Sequence, residues 1–226
     1  MRTPTSTDDP TACCSPAPDP RIARRFDRIA GDWIDAGDFP DMVDVSAGLL
    51  DLLRDATLQR PSVLELGSGT GALSVALLEM GASRTTGVDL SASSVEVARR
   101  RASNAGFDAQ ATFDVGNAAD AAPDPHDWVI LDRVICCFNE PDRLVRQATT
   151  FATDRIGITL PESRGWRGPV NHVLWRAESL WGLLQGGCRG YVHDVRRMER
   201  QLRQAGFERT NSRHVGLWYI GVYERA

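Results

Sequence analysis

The stretch VLELGSGTGALS, residues 63–74, decides the fold of this chain. A short apolar run ends at Leu66, glycines follow at positions 67, 69 and 71, and an apolar helical pattern begins at Ala72. Glycine lets the backbone turn sharply and approach a ligand closely. The free N–H groups of the next helix turn add polar contacts for that ligand. The stretch therefore predicts a strand, a ligand-binding glycine loop and a helix.

The same alternation continues on the C-terminal side of the loop. Five strands are predicted: 62–67, 85–90, 109–115, 127–132 and 154–160. Helices are predicted between them: 72–81, a helix capped by Ser93 and Glu96, and 141–151. Two more strands, about 207–215 and 217–224, are close enough for an antiparallel hairpin. We predict an α/β fold with a seven-stranded, mostly parallel sheet, helices on both faces and a C-terminal hairpin.

The flanking segments have a different composition. Residues 1–20 contain five prolines and predict a flexible N-terminal tail. Residues 21–226 are predicted to form a single domain. Within it, apolar periodicity indicates an N-terminal helical cap at 21–58, and a Trp/Leu-rich stretch indicates a helical insert at about 164–190.

Composition excludes several classes of protein. The net charge is −4, which gives no basic field for nucleic acid or an anionic membrane, and no apolar run is long enough to span a bilayer. The sequence contains no lysine, which excludes Walker-A phosphate binding and Schiff-base catalysis. The N-terminus lacks the apolar segment of a secretory signal. We therefore expect a cytoplasmic protein with no nucleic-acid partner and no membrane insertion.

The cysteines give no disulfide framework. Their number is odd and two pairs are adjacent, which fits a reducing compartment: Cys13, Cys14, Cys136, Cys137 and Cys188. No CxxC motif occurs, and no metal site is predicted.

Two acidic residues limit which ligands the glycine loop could bind. Asp89 ends the second strand, 22 residues beyond Gly67, where a carboxylate accepts hydrogen bonds from both hydroxyls of a ribose. By spacing alone GSGTGA also fits a dinucleotide site. Glu65, just inside the first strand, would repel a pyrophosphate but attract a cationic amine or sulfonium.

Four segments together resemble the motifs of the class I S-adenosylmethionine-dependent methyltransferases. VLELGSGTGALS is similar to the first motif, and the next three follow in order: GVDLS (87–91), FDVGNAAD (113–120) and DWVILDRV (127–134). The resemblance covers residues 62–134 and implies a Rossmann-like fold, S-adenosylmethionine as cofactor and methyl transfer. From LDRVICCF (131–138) onward the chain is distantly similar to magnesium-protoporphyrin O-methyltransferases and their bacterial relatives.

The resemblance assigns the cofactor-binding residues. It places these residues at the methionine moiety: Glu65, Gly67, Ser68, Gly69 and Gly71. It implies that Asp89 binds the ribose and that Leu90 packs on the adenine. Asn117, where the family often has Asp, and Ala118 would meet the adenine amine. Asp132 would face the methionine amine and the substrate.

Three residues are candidates for catalysis: His193, Arg133 and Asp132. Methyl transfer from a sulfonium depends mainly on positioning the nucleophile, and a base matters only when the acceptor arrives protonated. His193, in YVHD, is either a residue that overhangs the cleft or part of a helix entry. Arg133 is either the partner of a substrate carboxylate or part of an ion pair with a local acid such as Asp132 or Glu140.

The sequence does not identify the methyl acceptor. Aromatic residues of the cap and insert suggest a small, moderately apolar acceptor methylated on oxygen or nitrogen. Cys136 and Cys137 are core residues, part of the acceptor wall, or thiolate ligands together with Cys13 and Cys14. The last interpretation gives the alternative of thiol or soft-metalloid methylation, and a non-catalytic Rossmann-like binding protein is a further alternative.

Overall fold

The structure is a computed structural model that describes residues 20–36, 39–54, 60–184 and 189–226. The predicted tail, apart from Pro20, lies outside these residues, as do Cys13, Cys14 and Cys188. The helices are α1 (Pro20–Ala36), α2 (Asp44–Arg54), α3 (Ala72–Glu79), α4 (Ala92–Asn104), α5 (Pro141–Phe151), α6 (Arg167–Leu184) and α7 (Val195–Gln204). The strands are β1 (Ser62–Leu66), β2 (Arg84–Asp89), β3 (Ala111–Val115), β4 (His126–Leu131), β5 (Ala152–Pro161), β6 (Phe207–Val215) and β7 (Trp218–Arg225).

The seven strands form one sheet in the order β3-β2-β1-β4-β5-β7-β6. The first five run parallel, and β7 pairs antiparallel with both β5 and β6. The predicted α/β fold with a C-terminal hairpin is confirmed. From β1 the chain builds the sheet outward to β3 and then returns to β4 on the other side. This reversal opens a crevice at the carboxyl ends of β1 and β4, where open α/β sheets bind ligands.

Side chains of the central strands alternate between two cores. Leu64 and Leu66 of β1 join the cluster that includes residues of α5 and α7. Val63 of β1 joins the opposite cluster with residues of α2 and α3, as do Trp128 and Ile130 of β4. Glu65 has the parity of Val63, and Asp132 has the parity of Ile130. Because successive strand residues point to opposite faces, both carboxylates belong on the α2/α3 side.

One local prediction is wrong. Helix α4 is capped by Ser91, whose Oγ accepts a hydrogen bond of 3.0 Å from the Ser94 N–H, rather than by a box of Ser93 and Glu96. The Ser93 N–H instead donates to Asp27 Oδ1 of α1 at 3.1 Å, and Glu96 pairs with Arg100. Asp27 of α1 also accepts a hydrogen bond from Ser91 Oγ, so a distant segment supports this cap. Within the described residues, the helices are too short or too polar to cross a membrane.

Candidate active site

A cavity of about 580 Å³ lies at the carboxyl ends of β1, β2 and β4, and α1, α2 and α6 contribute to its wall. Ten of the predicted site residues line it: Glu65, Gly67, Ser68, Gly69, Asp89, Leu90, Asn117, Ala118, Asp132 and Arg133. Two predicted residues, Gly71 and His193, do not line it. The fold therefore brings most of the predicted residues to one place, although they come from four separate segments.

The three glycines of the loop serve different purposes. All have positive φ angles, 83° at Gly67, 51° at Gly69 and 72° at Gly71, a backbone region that L side chains rarely adopt. A Cβ on Gly67 would lie 2.4 Å from Val134 Cγ2. A Cβ on Gly71 would lie 2.8 Å from the Ala98 Cβ, whereas one on Gly69 would meet nothing within 4 Å. At Gly67 and Gly71 the loop therefore packs too closely on Val134 and Ala98 for a side chain. At Gly69 the backbone of the loop is exposed to the cavity.

Asp89 is fixed beside this loop. Its Oδ2 accepts a hydrogen bond of 2.9 Å from the Gly69 N–H, and its Oδ1 accepts one of 2.9 Å from the Ser91 N–H. Burial raises the pKa of Asp89, and these two hydrogen bonds oppose the rise. Each carboxylate oxygen retains a second lone pair. The side chain is thus preoriented to accept hydrogen bonds from a ligand on the cavity side.

Glu65 is a buried carboxyl group at the floor of the cavity. Its Oε2 accepts a hydrogen bond of 2.5 Å from Ser74 Oγ of α3. Burial raises the pKa of Glu65 to about 8, and the charges of Asp132 and Asp89 add to this effect while the Ser74 bond opposes it. A cation in the cavity would favour the ionised form. The floor of the cavity therefore suits a cationic group rather than a phosphate.

Asp132 is held by two hydroxyl groups. Ser46 Oγ of α2 donates to Asp132 Oδ2 at 2.5 Å, and Thr159 Oγ1 of β5 donates to Asp132 Oδ1 at 2.6 Å. Burial raises the pKa of Asp132, and the two hydrogen bonds and Arg133 oppose the rise. Both oxygens have a fixed partner, so this carboxylate is suited to orientation and charge more than to proton transfer.

The third group of predicted residues lies at another side of the cavity. Asn117 Oδ1 accepts a hydrogen bond of 3.1 Å from the Ala119 N–H, and its Nδ2 donates to Asp120. Ala118 is buried in the lining. The hydroxyl of Ser68 is turned inward and lies against Gly87. A Cβ on Gly87 would lie 2.7 Å from the Ser68 Oγ, so only glycine leaves room for it. Within the described residues that oxygen has no hydrogen-bond partner.

Part of the cavity wall is aromatic and carries arginines. The Arg133 guanidinium lies 5.9 Å from the centre of the Trp218 ring, and Trp175 meets Trp218 edge to face at 5.7 Å. Arg133 has a φ of 55°, a strained conformation for a residue other than glycine, and its N–H donates to Thr159 Oγ1 at 2.8 Å. Glu140, one predicted local partner, pairs with Arg143 instead.

The two cysteines lie on a single 3-10 turn, Ile135–Cys137. Both line the cavity, Cys136 buried and Cys137 partly exposed, and their Sγ atoms are 4.0 Å apart. Hydrogen bonding to Cys137 and burial raise the pKa of Cys136. The same hydrogen bond lowers the pKa of Cys137 against the effect of burial, with help from Arg25 and Arg133. Cys136 is thus buried in the wall of the cavity, and Cys137 is partly exposed there.

His193 does not line this space. Its Nε2 lies 2.8 Å from the Phe138 carbonyl oxygen, and its ring stacks on Tyr191 at 5.6 Å. Burial lowers the pKa of His193. These contacts fix the turn between α6 and α7, as expected for a helix entry. The prediction that His193 acts in catalysis gains no contact in support.

Sequence reasoning missed the groups that position Asp132 and the part of the cavity wall around Trp218. Ser46 belongs to an apolar helical stripe and Thr159 to an apolar strand, and both are buried. A buried hydroxyl in an otherwise apolar pattern needs a partner, which is the one signal that marked them. Trp218 reaches the cavity from β7, at the far end of the chain.

Comparison with known proteins agrees with this geometry. A family described as a methyltransferase domain matches residues 59–178. The ubiquinone biosynthesis O-methyltransferase of Neisseria meningitidis serogroup C (strain 053442) is 26% identical over 197 residues, covering 81% of this chain and 80% of that protein. Magnesium protoporphyrin IX methyltransferase from Synechocystis PCC 6803, solved with bound SAH, superposes with a TM-score of 0.70 at 20% identity, over 90% of this chain and 98% of that one.

A further solved structure is similar to the same degree. It is an O-methyltransferase family protein from Burkholderia thailandensis, with a TM-score of 0.71 at 20% identity, covering 94% of this chain and 65% of that one. At these identities the superpositions establish a shared fold.

Proposed function

Since the chain belongs to the methyltransferase domain family and is an S-adenosylmethionine-dependent methyltransferase, we propose that it methylates oxygen or nitrogen on a small, moderately apolar acceptor. The observation that carries the proposal is the division of one cavity into two parts. One part has the glycine loop, Glu65 and Asp89, and the other has Trp175, Trp218 and Arg133. The names of the relatives, which include O-methyltransferases of ubiquinone biosynthesis, support a small-molecule acceptor.

The first part fits S-adenosylmethionine. Gly69 leaves room for close approach, and Asp89 is preoriented to receive the ribose hydroxyls. The amine of the methionine moiety would lie toward Glu65 and Asp132, while Leu90, Asn117 and Ala118 would border the adenine. The bound cofactor supplies an activated methyl group on a sulfonium. The carboxylates of the chain attract that positive charge, and the loop fixes its orientation.

The second part would hold the acceptor. The rings of Trp175 and Trp218 offer apolar surface, and Arg133 offers a planar cation that pairs bidentately with a carboxylate or with another oxyanion. Among the described residues Arg133 forms no ion pair within 4 Å, although its charge acts on the neighbouring Asp132 carboxylate. We assign Arg133 the role of binding the acceptor beside the methyl donor. An acceptor that is already ionised needs no base for transfer.

Asp132 would act as a positioning residue. Ser46 and Thr159 hold its carboxylate, and the Arg133 N–H shares the same threonine hydroxyl. The cofactor side and the acceptor side are thereby joined through one hydrogen-bonded unit. This unit would fix the distance between the methyl donor and the nucleophile, which is the main contribution of the protein to such a reaction. His193 has no part in this proposal.

Calorimetric titration with S-adenosylmethionine, followed by product detection with a panel of acceptors, tests the proposal. We expect binding, and turnover with small aromatic carboxylates or phenols. Arg133→Gln should raise KM for the acceptor and leave the cofactor Kd unchanged. Cofactor binding without turnover on any acceptor would favour the non-catalytic alternative, and turnover with an unchanged acceptor KM in Arg133→Gln would remove Arg133 from the acceptor site. The proposal places the enzyme in the cytoplasm and requires no nucleic acid.

The cysteine pair supports a second candidate, methylation of a thiol or soft metalloid. The Sγ–Sγ distance of 4.0 Å is close to the spacing of about 3.8 Å between two thiolates on a tetrahedral metal with bonds of about 2.3 Å. Of the four cysteines in that hypothesis, Cys13 and Cys14 lie outside the described residues. Turnover that disappears in a Cys136→Ala/Cys137→Ala variant, with cofactor binding retained, would favour it over the first candidate.

A further inference from the structure

The outer face of α6 exposes an unusual amount of apolar surface. Six of the eight large apolar side chains that are exposed in the described chain lie in or next to this helix: Trp166, Val170, Val173, Leu174, Leu180 and Trp181. Val173, Leu180 and Trp181 are each about two-thirds exposed, at 68%, 67% and 67%. Single exposed apolar residues are normal on a protein surface, but a contiguous patch marks an interaction site.

A different face of α6 packs against the rest of the protein. The exposed apolar face is therefore not needed to attach the helix to the fold. Asn171 is buried and donates to the carbonyl oxygens of Glu162 and Leu217, each at 2.8 Å. Trp175 packs on Trp218 in the cavity, and Ser179 hydrogen-bonds to Gly190. Val170, Val173, Leu174 and Trp181 recur at helical spacing on a separate stripe.

Helix α1 borders this stripe and adds positive charge. Arg25 of α1 pairs with Glu178 of α6 at 3.6 Å, and both residues line the cavity. The opposite side of α1 faces α4, since Asp27 accepts from Ser91 Oγ at 2.7 Å. With about 100° of rotation per residue, Arg28 lies about 60° and Arg24 about 100° around the helix from Arg25, and both are exposed.

The charge around the patch differs from that of the whole chain. Residues 164–190 contain four arginines, of which Arg164 is paired with Glu162 and Glu199, and a single acid, Glu178. Residues 21–28 contain four arginines and one aspartate. The net charge of the whole chain is −4. The apolar stripe of α6 and the arginine stripe of α1 therefore form a local cationic and apolar surface beside the mouth of the cavity.

We propose that this surface, defined by the outer faces of α6 and the N-terminal half of α1, binds an anionic lipid bilayer peripherally. Apolar side chains with flanking arginines are the combination that lies in a membrane interface, where tryptophan is also favoured. Arginines near anionic headgroups add electrostatic attraction. A second copy fits less well, because a two-fold contact through this face would bring the arginines of both chains together.

The surface lies beside the cavity, which suggests how membrane binding would serve the enzyme. Trp175, Glu178 and Arg25 belong to the same two helices and line the cavity. Docking of these helices on a bilayer would turn the acceptor end of the cavity toward the lipid, so that an apolar acceptor could enter from the membrane. The lipid-binding step itself does not rest on the proposed methyl transfer.

The test is sedimentation of the full chain with vesicles of phosphatidylglycerol and phosphatidylcholine, against vesicles of phosphatidylcholine alone. Binding should require the anionic lipid and fall with salt. Val173→Ser/Leu180→Ser/Trp181→Ala should weaken it at least about tenfold. Arg24→Gln/Arg28→Gln should weaken it about 25-fold, since each arginine contributes a factor of about five near an anionic surface.

Matched controls separate this surface from general effects. Val115→Ser removes an exposed apolar group from β3, and Arg146→Gln/Arg200→Gln removes two exposed arginines from α5 and α7. Both should bind vesicles like the parent chain, and all variants should retain cofactor affinity as evidence of folding. The proposal is overturned if the parent chain does not sediment with anionic vesicles, or if the control variants lose as much binding. It is also overturned if the α6 variant abolishes a dimer in sedimentation velocity while vesicle binding is unchanged.

Discussion

Replacing Glu65 by glutamine should make the protein more stable at neutral and alkaline pH. In the folded chain the pKa of Glu65 is about 8, against an ordinary value of 4.5, and burial is the main cause. The unfolded chain therefore releases this proton at a lower pH than the folded chain does. The stability that the protonated group allows is fully present below about pH 4.5 and is lost as the pH rises toward 8.

The size of the effect follows from the two pKa values. At about 1.4 kcal/mol per pKa unit, the buried carboxyl destabilises the fold by as much as about 5 kcal/mol above pH 8. Between pH 5.5 and 8.5 the loss is about 3 kcal/mol. The glutamine of the Glu65→Gln variant would not titrate, and its carbonyl oxygen could still accept the hydrogen bond from Ser74 Oγ.

Urea unfolding of the parent chain and the Glu65→Gln variant at pH 5.5, 7 and 8.5 measures this. The difference between the two proteins should grow by about 3 kcal/mol across the series. Glu79→Gln, a substitution at an exposed position of α3, is the matched control. Two free-energy curves that run parallel with pH would refute the reasoning about Glu65.

The same substitution should weaken cofactor binding. A hydrogen bond to a charged group contributes about 1.5–3 kcal/mol, so Kd should rise about 10- to 100-fold. At pH 7 the parent chain should release a proton on binding, because a cation beside Glu65 favours its ionised form. Calorimetry in buffers with different ionisation enthalpies detects that proton. Greater stability together with weaker binding is the expected signature of a group retained for function.

Three further predictions address the rest of the cavity. Asp89→Ala should raise the cofactor Kd at least about tenfold with little change in acceptor KM; equal Kd values in calorimetry would remove Asp89 from the ribose site. Gly69→Ala should impair cofactor binding more than folding. A φ of 51° strains an alanine, but its Cβ would meet no atom of the fold within 4 Å and would occupy space open to the cofactor; a binding curve like that of the parent would contradict this. Cys136→Ala/Cys137→Ala should keep most turnover with an oxygen acceptor, and its loss would indicate thiol chemistry.

Much of the cofactor part could be predicted because its signals are local. The turn after β1 needs glycines at 67, 69 and 71, and alternation of strand and helix places Asp89 at the same edge of the sheet. Each of these features is encoded within a few consecutive residues, through backbone conformation and side-chain periodicity. The parallel order then follows from the short connections between elements.

The part of the cavity around Arg133 and Trp218 could not be predicted in the same way. Ser46 meets Asp132 across 86 residues of sequence, and Trp218 reaches Arg133 from the last strand. His193 is of a residue type that often acts in catalysis, but its Nε2 lies within hydrogen-bond distance of the Phe138 carbonyl oxygen. Such contacts depend on strand order and helix docking, which bring distant segments together only in the folded chain.

Turns and periodicity act over short distances, so the sheet, the glycine loop and the acids at its edge could be predicted from the sequence alone. Only the tertiary structure decided which groups surround Asp132, where Arg133 lies, and that α6 turns an apolar face outward. The net charge of −4 conceals the arginines of α1 and α6, since composition averages over a surface. The physical reason is that burial, local charge and orientation arise from packing between segments that the sequence keeps apart.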